Sequence, residues 1–213
     1  MKGFLITFEG IDSSGKSVQA NLLKERLLSK NLPVIFLREP GGTEISERIR
    51  EVLLDTKHQE MDRKTELLLY SAARSQVVAE RIIPHLQQAG IVICDRLYDS
   101  TTAYQGYGRQ IDLGFIKKIH NFVTEGITPD LTFLIDLDPA EATKRKAKSG
   151  MRIDRLEGEK KAFHERVRSG YLKIAEQEPE RFVIVDGARA VSVIHEEIYQ
   201  FVRRKIDGIV NRV

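Results

Sequence analysis

Five short runs of apolar and β-branched residues recur along the chain, separated by longer segments of mixed character. Between the runs, apolar residues recur every three or four positions, which predicts helices. Continuous apolar strands that alternate with helices are typical of a parallel sheet covered on both faces. The pattern therefore predicts an α/β fold. The predicted strands are Phe4–Phe8, Pro33–Leu37, Ile91–Cys94, Leu131–Asp136 and Phe182–Val185, and the predicted helices cover about 16–29, 44–54, 62–89, 113–124, 139–148, 159–177 and 191–206.

Individual residues sharpen some of the predicted helix boundaries. Thr43 and Asp62 precede helical patterns and can accept hydrogen bonds from backbone N–H groups of the first turn, so both are predicted N-caps. Pro84 lies inside the third helical pattern and should kink it, because proline has no N–H to donate. Gly90 should then end that helix.

Polar residues follow four of the five predicted strands directly. They are Glu9-Gly10, the segment 38–43, Asp95-Arg96 and Asp186-Gly187. In open parallel sheets, ligands bind at the carboxyl ends of the strands. The sequence therefore predicts that the ligand-binding residues lie together at the edge of the sheet formed by the carboxyl ends of its strands.

The segment from Phe8 to Ser17, FEGIDSSGKS, fits the phosphate-binding pattern G-x-x-x-x-G-K-[ST]. Backbone N–H groups of such a loop surround a polyphosphate, and the following helix directs its positive end at the same anion. A glycine-rich turn that binds nothing is the alternative, but the preceding strand and the following amphipathic segment favour the phosphate loop. The predicted ATP-binding residues are Gly10, Ile11, Asp12, Ser13, Ser14, Gly15, Lys16 and Ser17.

Two further sets of polar residues stand at the same predicted edge. Asp95 occupies the usual position for a second support of Mg²⁺, acting through water or through the Ser17 hydroxyl. Arg96 can clamp a phosphate with two donors, although a surface ion pair at a strand end is the alternative. Arg38 ends the second strand and is a candidate for another phosphate contact.

Three other patterns are less specific. Tyr70 and Arg74 lie four residues apart on a helix and could together bind a planar base, but spacing alone favours an ordinary surface pair. The segment 101–109 contains Tyr104 and Gln105 among glycines and suits a binding loop. Six basic residues lie within residues 144–155, and this run is either a solvated helix face or a flap over transferring phosphates.

Composition and charge narrow the class of protein. A chain of 213 residues is predicted to form one domain, residues 1–213, and 34 basic against 31 acidic residues argue against a protein that coats nucleic acid. Cys94, the single cysteine, lies in an apolar run and is predicted to be a buried structural thiol. No signal peptide or membrane span is recognised, so we expect a cytoplasmic protein that binds no membrane.

Several motifs together resemble those of the thymidylate kinases, a family of P-loop nucleoside monophosphate kinases. They are F-E-G-I-D-S-S-G-K-S, R-E-P-G-G-T, Y-S-A-A-R, D-R-L-Y-D-S, A-Y-Q-G and D-R-L-E, the last at 154–157, followed by F-H-E-R-V-R-S-G-Y. The resemblance covers nearly the whole chain. It implies a three-layer P-loop NTPase fold, with a five-stranded parallel sheet of order 2-3-1-4-5, a short mobile lid at about 144–157 and a homodimer.

The resemblance also implies roles for individual residues. Asp12 would meet the sugar 3′-OH, Arg38 and Arg96 would hold the dTMP phosphate, and Tyr70 would stack on thymine. Arg74 with Gln105 would read the polar edge of the base, while Tyr104 would crowd the 2′ position and favour deoxyribose. The catalytic residues would be Lys16, Arg96 and the lid arginines Arg145 and Arg152, with Ser17 and Asp95 holding Mg²⁺.

The lid departs from the family pattern. It is richer in lysine, and its spacing before Asp154 is shifted, so Arg145, Lys148 and Arg152 all remain candidates for the phosphate contact. Some members carry an arginine in the phosphate loop, where this chain has Ser13 and Ser14. In this respect the chain resembles the members that place the basic residue in the lid instead.

We therefore expect an ATP:dTMP phosphotransferase that uses Mg²⁺ and the small-molecule substrates ATP and dTMP, as part of dTTP synthesis. A deoxynucleoside kinase or another pyrimidine monophosphate kinase is the alternative. Paired phosphate-binding candidates at Arg38 and Arg96 argue against an acceptor without a phosphate. A nucleotide-dependent switch that binds a protein partner is a further alternative, but the sequence lacks the N-K-x-D motif of guanine-binding switches.

Overall fold

A computed structural model describes residues 3–150 and 154–210 of the chain. Five strands form one sheet with the order β2-β3-β1-β4-β5, and all four neighbouring pairs are parallel. The predicted fold and strand order are thereby confirmed. The strands are β1 (Phe4–Glu9), β2 (Val34–Arg38), β3 (Ile91–Asp95), β4 (Leu131–Asp136) and β5 (Phe182–Asp186).

Nine α-helices and two π-helical segments are found in the part of the chain that the structure describes. Thr43 and Asp62 cap α2 and α3 as predicted, since their side chains accept hydrogen bonds from the N–H groups of Ser46 and Lys64. The helices are α1 (Lys16–Leu28), α2 (Glu44–Leu54), α3 (Arg63–Val77), α4 (Ile83–Gln87), α5 (Tyr98–Thr101), α6 (Leu113–Val123), α7 (Pro139–Ser149), α8 (Lys161–Gln177) and α9 (Val191–Val210), and the π-helical segments are Val78–Ile82 and Thr102–Gly108.

The helical pattern predicted at 62–89 is interrupted by the first π-helical segment. Ile83 donates its backbone N–H to the Val78 carbonyl, five residues back. The wider turns end just before Pro84, which cannot donate to the preceding turn. The predicted kink therefore takes the form of a local widening of the helix.

Residues 101–108 are helical, so the prediction of a loop conformation there was wrong. Its glycines allow α8 to approach closely: a Cβ on Gly108 would lie 2.6 Å from the Phe163 ring, and one on Gly170 of α8 would lie 2.6 Å from the Tyr107 ring. Packing against Phe163 and Tyr171 of α8 buries Tyr104. This tertiary packing overrides the loop-like composition of the segment.

Side chains of β1 alternate between the two faces of the sheet. Phe4, Ile6 and Phe8 pack against α1 and α9 in one apolar cluster, and Leu5 belongs to a second cluster that includes Val77 at the end of α3. Helices thus cover both faces, as expected for a parallel sheet. Within 3–150 and 154–210, no helix combines the length and apolar character needed to cross a bilayer.

The strand register determines which side chains meet at the carboxyl edge. Asp95 of β3 is the register partner of Phe8 in β1 and of Arg38 in β2. The last residues of three neighbouring strands therefore reach the same edge, directly beside the loop that follows Glu9.

Candidate active site

The loop between β1 and α1 has a backbone that requires small residues. Gly10 and Gly15 have φ values of 136° and 103°, and a Cβ on Gly10 would lie 2.4 Å from the Ile135 carbonyl oxygen. Ser13 also has a positive φ, of 62°. Positive φ values at several positions of a short loop are typical of the backbone nests that bind phosphate.

Lys16 begins α1 and is held inside the loop. Its Nζ donates a hydrogen bond of 2.8 Å to the Ile11 carbonyl, and the residue is only 5% exposed. Burial and the nearby Arg96 charge lower the pKa of Lys16 to about 8, although neighbouring carboxylates oppose that shift. A buried cation at a helix N-terminus is suited to pair with an anion.

Ser17 and Asp95 meet across the loop, with the Ser17 hydroxyl donating to the Asp95 carboxylate. Hydroxyl and carboxylate oxygens are the ligands that Mg²⁺ prefers, so the pair fits the predicted magnesium support. Among the described residues, no group of three or more His, Cys, Asp or Glu side chains could hold a metal ion.

Arg96 links the loop to the segment that follows β3. Its φ of 73° is uncommon for a residue with a Cβ and costs free energy that other contacts must offset. Nη1 donates to the Gly10 carbonyl at 2.8 Å, and Nη2 donates to Asp12. The guanidinium is therefore fixed directly beside the loop.

Asp12 and Tyr104 complete this contact. The Tyr104 hydroxyl donates to Asp12 Oδ2 at 2.8 Å, and the Tyr104 ring lies 5.2 Å from the Arg96 guanidinium carbon. Burial alone would raise the pKa of Asp12, but the charges of Arg96 and Lys16 outweigh it and hold this pKa well below its usual range. Asp12 is thus a carboxylate at neutral pH.

A cavity, here called the tyrosine cavity, opens next to Arg96. Five predicted site residues line it: Asp12, Tyr70, Arg96, Tyr104 and Gln105. It combines the Tyr70 and Tyr104 rings with the Arg96 guanidinium, a composition that suits a planar ring carrying an anionic group. The other lining residues are Glu39, Pro40, Arg50, Leu54, Ser100, Thr101, Asp154 and Leu156.

Arg74 lies behind the wall of the tyrosine cavity. It is 2% exposed and donates to Glu39 at 2.7 Å, to the Thr101 hydroxyl at 3.0 Å and to the Leu97 carbonyl at 3.1 Å. In this conformation it connects three segments that carry cavity residues.

Arg38 is paired with Glu47 at 3.0 and 3.1 Å and is absent from the described lining of the tyrosine cavity. Arg50, one turn further along α2, lines the cavity and donates to the Pro40 carbonyl at 2.9 Å. The cation of α2 that lines the cavity is therefore Arg50, which the sequence analysis did not identify.

Gln105 is oriented by a buried carboxylate. Its Nε2 donates to Glu66 at 2.8 Å, and Glu66 also accepts from Arg109 at 3.0 Å and from Arg155 at 2.6 Å. Glu66 is fully buried. Since Arg155 belongs to the predicted lid, residues 144–157, one carboxylate joins the lid to the tyrosine cavity.

A second cavity, here called the lid cavity, lies between the phosphate loop and α7. Lys146 of α7 pairs with Glu157 at 2.7 Å, and both line the lid cavity together with Ile11, Asp12 and Ser13. Arg145 donates to the Gly187 carbonyl at 3.0 Å, at the end of β5. Lys148 is exposed, and Arg152 lies outside the described residues.

Three features of the site had weak or no signals in the sequence. Glu9, Ser100 and Glu66 are buried polar residues that hold site residues in place. Glu9 ends an apolar strand, and Glu66 sits on the buried side of an amphipathic helix. An acidic residue at a position predicted to face the core is the signal that could have found both, because buried carboxylates need partners.

Comparisons with known proteins place these residues in context. The family model "Thymidylate kinase" matches residues 8–198. A thymidylate kinase of Pelotomaculum thermopropionicum is 44% identical over 208 residues, covering 98% of this chain and 96% of its own. One from an Exiguobacterium species is 45% identical over 201 residues, covering 94% of each chain. The crystal structure of thymidylate kinase from Ehrlichia chaffeensis has a TM-score of 0.75 and 36% identity, covering 95% of this chain and 99% of its own.

Proposed function

The chain belongs to the thymidylate kinase family, and from this premise we propose that its carboxyl-edge site transfers the terminal phosphoryl group of ATP to dTMP. The observation that carries the proposal is the position of Arg96. Its guanidinium contacts the phosphate loop at Gly10 and Asp12, and it also lines the tyrosine cavity. A phosphate bound to Arg96 in the cavity would lie next to a phosphate bound in the loop.

In this proposal the donor occupies the phosphate loop. Backbone N–H groups and the Lys16 ammonium bind the β- and γ-phosphates, while the N-terminus of α1 adds its positive end. Lys16 is held in place before substrate binds, because it already donates to the Ile11 carbonyl. Its charge therefore needs little reorganisation as negative charge develops on the transferring group.

The acceptor occupies the tyrosine cavity. Tyr70 stacks on the base, Gln105 recognises its polar edge, Tyr104 packs against the sugar, and Arg96 holds the phosphate. Recognition of the same edge by Arg74, which the family resemblance implies, requires its guanidinium to turn from Glu39 and Thr101 into the cavity. The phosphate oxygen of dTMP is already anionic, so the attack on the γ-phosphorus needs positioning and charge neutralisation more than a base.

Mg²⁺ completes the proposed donor site. Ser17 and Asp95 would hold it, the Asp95 carboxylate partly through water, and the ion would neutralise charge on the β- and γ-phosphates. The contact between the Ser17 hydroxyl and the Asp95 carboxylate supports this assignment, since it brings two suitable oxygens together at the loop.

Basic residues of segment 144–157 would supply further positive charge to the transferring phosphoryl group. The pair of Lys146 with Glu157 supports a position near the loop, because both line the lid cavity with Ser13. Arg145 and Arg152 keep the catalytic role that the family resemblance implies, as a proposal that kinetics of single alanine variants can test.

A homodimer is the proposed assembly. Exposed apolar side chains lie on three neighbouring helices, with Ile45 and Val52 on α2, Leu68 on α3, and Phe115 and Phe122 on α6. Such a concentration of apolar surface marks interaction sites, and a second copy of the chain is the occupant that the family resemblance implies.

A coupled assay across several acceptors tests the proposed reaction. Purified protein with ATP and Mg²⁺ should phosphorylate dTMP best and dUMP next, since losing the thymine methyl group costs only about 1–3 kcal/mol. dCMP should be far poorer, because its amino group would face the donors of Arg74. Phosphorylation of thymidine in preference to dTMP would instead indicate a deoxynucleoside kinase, and phosphate release without an acceptor would indicate an ATPase.

A further inference from the structure

Glu9 is a buried carboxylate at the junction of β1 and the phosphate loop. It is 0% exposed and lines neither the tyrosine cavity nor the lid cavity. A charged group in such a position is retained only if its hydrogen bonds are satisfied. Both of its oxygens have partners, and all of these partners lie on the segment after β3 or on α8.

The first oxygen of Glu9 supports the unusual backbone at Arg96. Oε1 accepts the backbone N–H of Leu97 at 2.7 Å, and the N–H of Arg96 itself donates to the Phe8 carbonyl at 3.0 Å. Arg96 has a φ of 73°, which a residue with a Cβ rarely adopts without support from its surroundings. Phe8 and Glu9, neighbours in β1, therefore hold the backbone N–H groups of Arg96 and of Leu97.

The second oxygen of Glu9 acts on the Arg96 side chain through two hydroxyl groups. Oε2 accepts from Ser100 at 2.6 Å and from Tyr171 at 3.0 Å. Arg96 Nη1 in turn donates to both hydroxyl oxygens at 3.0 Å. The two hydroxyls also bond to each other at 2.7 Å, so at least one of them donates to the ionised carboxylate while both keep a lone pair for the guanidinium.

We propose that Glu9 is a positioning residue for Arg96, which it holds through the Leu97 N–H and through the Ser100 and Tyr171 hydroxyls. The inference rests on the proposed function, in which Arg96 binds the acceptor phosphate. Glu9 does not touch substrate in this arrangement. It connects the strand that carries the phosphate loop to the clamp at the acceptor, so that donor and acceptor phosphates are held in one frame.

The isosteric variant Glu9→Gln tests the proposal. Its amide can accept the Leu97 N–H, but its NH₂ group would then donate to the hydroxyls and compete with Arg96 for their lone pairs. We expect the KM for dTMP to rise about tenfold or more while the KM for ATP changes less than about twofold, since a displaced clamp affects the acceptor first. Equal increases in both constants, or no change in either, would overturn the proposal.

Thr7→Val is the matched control on the same strand. Thr7 is equally buried, and its side-chain hydrogen bond goes to the Thr132 hydroxyl of β4 at 2.8 Å rather than to segment 96–100. It should leave the ratio of the two KM values at the wild-type level even where it lowers the melting temperature. A rise in the dTMP KM of this variant equal to that of Glu9→Gln would reduce the effect to a general disturbance of β1 and overturn the proposal.

A double-mutant cycle separates positioning from a structural role. If Glu9 acts through Arg96, Glu9→Gln should raise the dTMP KM in the wild-type background and have little further effect in the Arg96→Ala background. Additive effects would contradict the proposal. If Glu9→Gln does not fold, Tyr171→Phe decides in its place, because it removes one relaying hydroxyl from outside the tyrosine cavity and keeps the ring.

Wild-type kinetics distinguish the two levels of inference. If the wild-type protein does not phosphorylate dTMP, the proposed function fails and no conclusion about Glu9 is needed. If it does phosphorylate dTMP and neither Glu9→Gln nor Tyr171→Phe changes the dTMP KM selectively, the proposed function stands and the positioning role is refuted.

Discussion

Lys16 shows how a single residue can be buried for function. Its ammonium is surrounded by loop atoms, and burial with the Arg96 charge lowers the pKa of Lys16 to about 8. The lowered pKa means that burial disfavours the charged form of Lys16. The one hydrogen bond described for its ammonium goes to the Ile11 carbonyl of the loop, so the charged group contributes little to core packing. The phosphate group of ATP that we propose to bind in the loop would account for this position.

Lys16→Ala should lower kcat by a factor of about 10²–10³ or more and leave the fold intact. The variant removes positive charge where negative charge develops, while the core residues of β1 and α1 stay in place. The rate of dTMP turnover measures the loss of kcat, and far-ultraviolet circular dichroism shows whether the fold is intact. Near-normal turnover in a folded variant would refute the assignment of the phosphate loop.

At the scale of elements, Glu66 ties α3 to the π-helical segment 102–108 and to the predicted lid, residues 144–157. It accepts hydrogen bonds from Gln105, Arg109 and Arg155, and both Glu66 and Arg155 are almost fully buried. A buried charge that loses its partner is expensive. The three elements should therefore depend on this carboxylate together.

Glu66→Gln should lower the free energy of unfolding by about 3–5 kcal/mol, because a buried guanidinium would be left without its counter-charge. Glu159→Gln is the matched control, since Glu159 pairs with the same Arg109 but its side chain is 30% exposed. Partly exposed pairs contribute only about 0–1 kcal/mol. Urea unfolding measures the free energy of unfolding of both variants. Equal decreases of this free energy would contradict the role given to Glu66.

His120 gives the contact between α6 and the second π-helical segment a pH dependence. Burial, together with the Arg74 charge, lowers the pKa of His120 to about 3, and Nε2 bonds to the Thr102 hydroxyl at 3.1 Å. The unfolded chain binds this proton near pH 6.5. Between these two pH values the unfolded state binds more protons, so stability should fall as the pH is lowered.

His120→Gln should remove this part of the acid sensitivity. Between pH 7 and pH 5 the wild-type protein should lose about 2 kcal/mol more unfolding free energy than the variant, because about one proton is taken up on unfolding over roughly 1.5 pH units. Urea unfolding at the two pH values measures the difference. The same loss in both proteins would show that His120 does not cause it.

At the scale of the whole molecule, the strand pattern was sufficient to predict the α/β class, and the family resemblance supplied the strand order. Buried parallel strands are continuous apolar runs, and the phosphate loop needs particular residues at fixed spacing, so both are visible in one sequence. The helical conformation of segment 102–108 could not be predicted from the sequence, because its packing against α8 involves residues about sixty positions away. The role of Arg50 could not be predicted for a similar reason, since only the folded loop after β2 shows which arginine of α2 reaches the tyrosine cavity.

The surface of the molecule leads to the last prediction. Phe122 on α6 is 83% exposed, next to other apolar residues of α2, α3 and α6. Helices α1 and α9 cover the opposite face of the sheet. An aromatic ring in this position is expected to be buried by a second copy of the chain, since such side chains dominate the energetics of interfaces. The proposed homodimer therefore has a defined face.

Phe122→Asp should convert the proposed dimer into a folded monomer, because each chain would then place an unpaired carboxylate in an apolar interface. Val193→Asp on α9 is the control: this residue is 52% exposed on the other face of the sheet and should leave the dimer intact. Sedimentation velocity over a range of protein concentrations measures the mass of each variant. A wild-type monomer, or a Phe122→Asp dimer as stable as the wild-type one, would exclude this face as the interface. Since Phe122 packs little within its own chain, the melting temperature of the variant reports mainly the loss of the partner, and it should become independent of protein concentration.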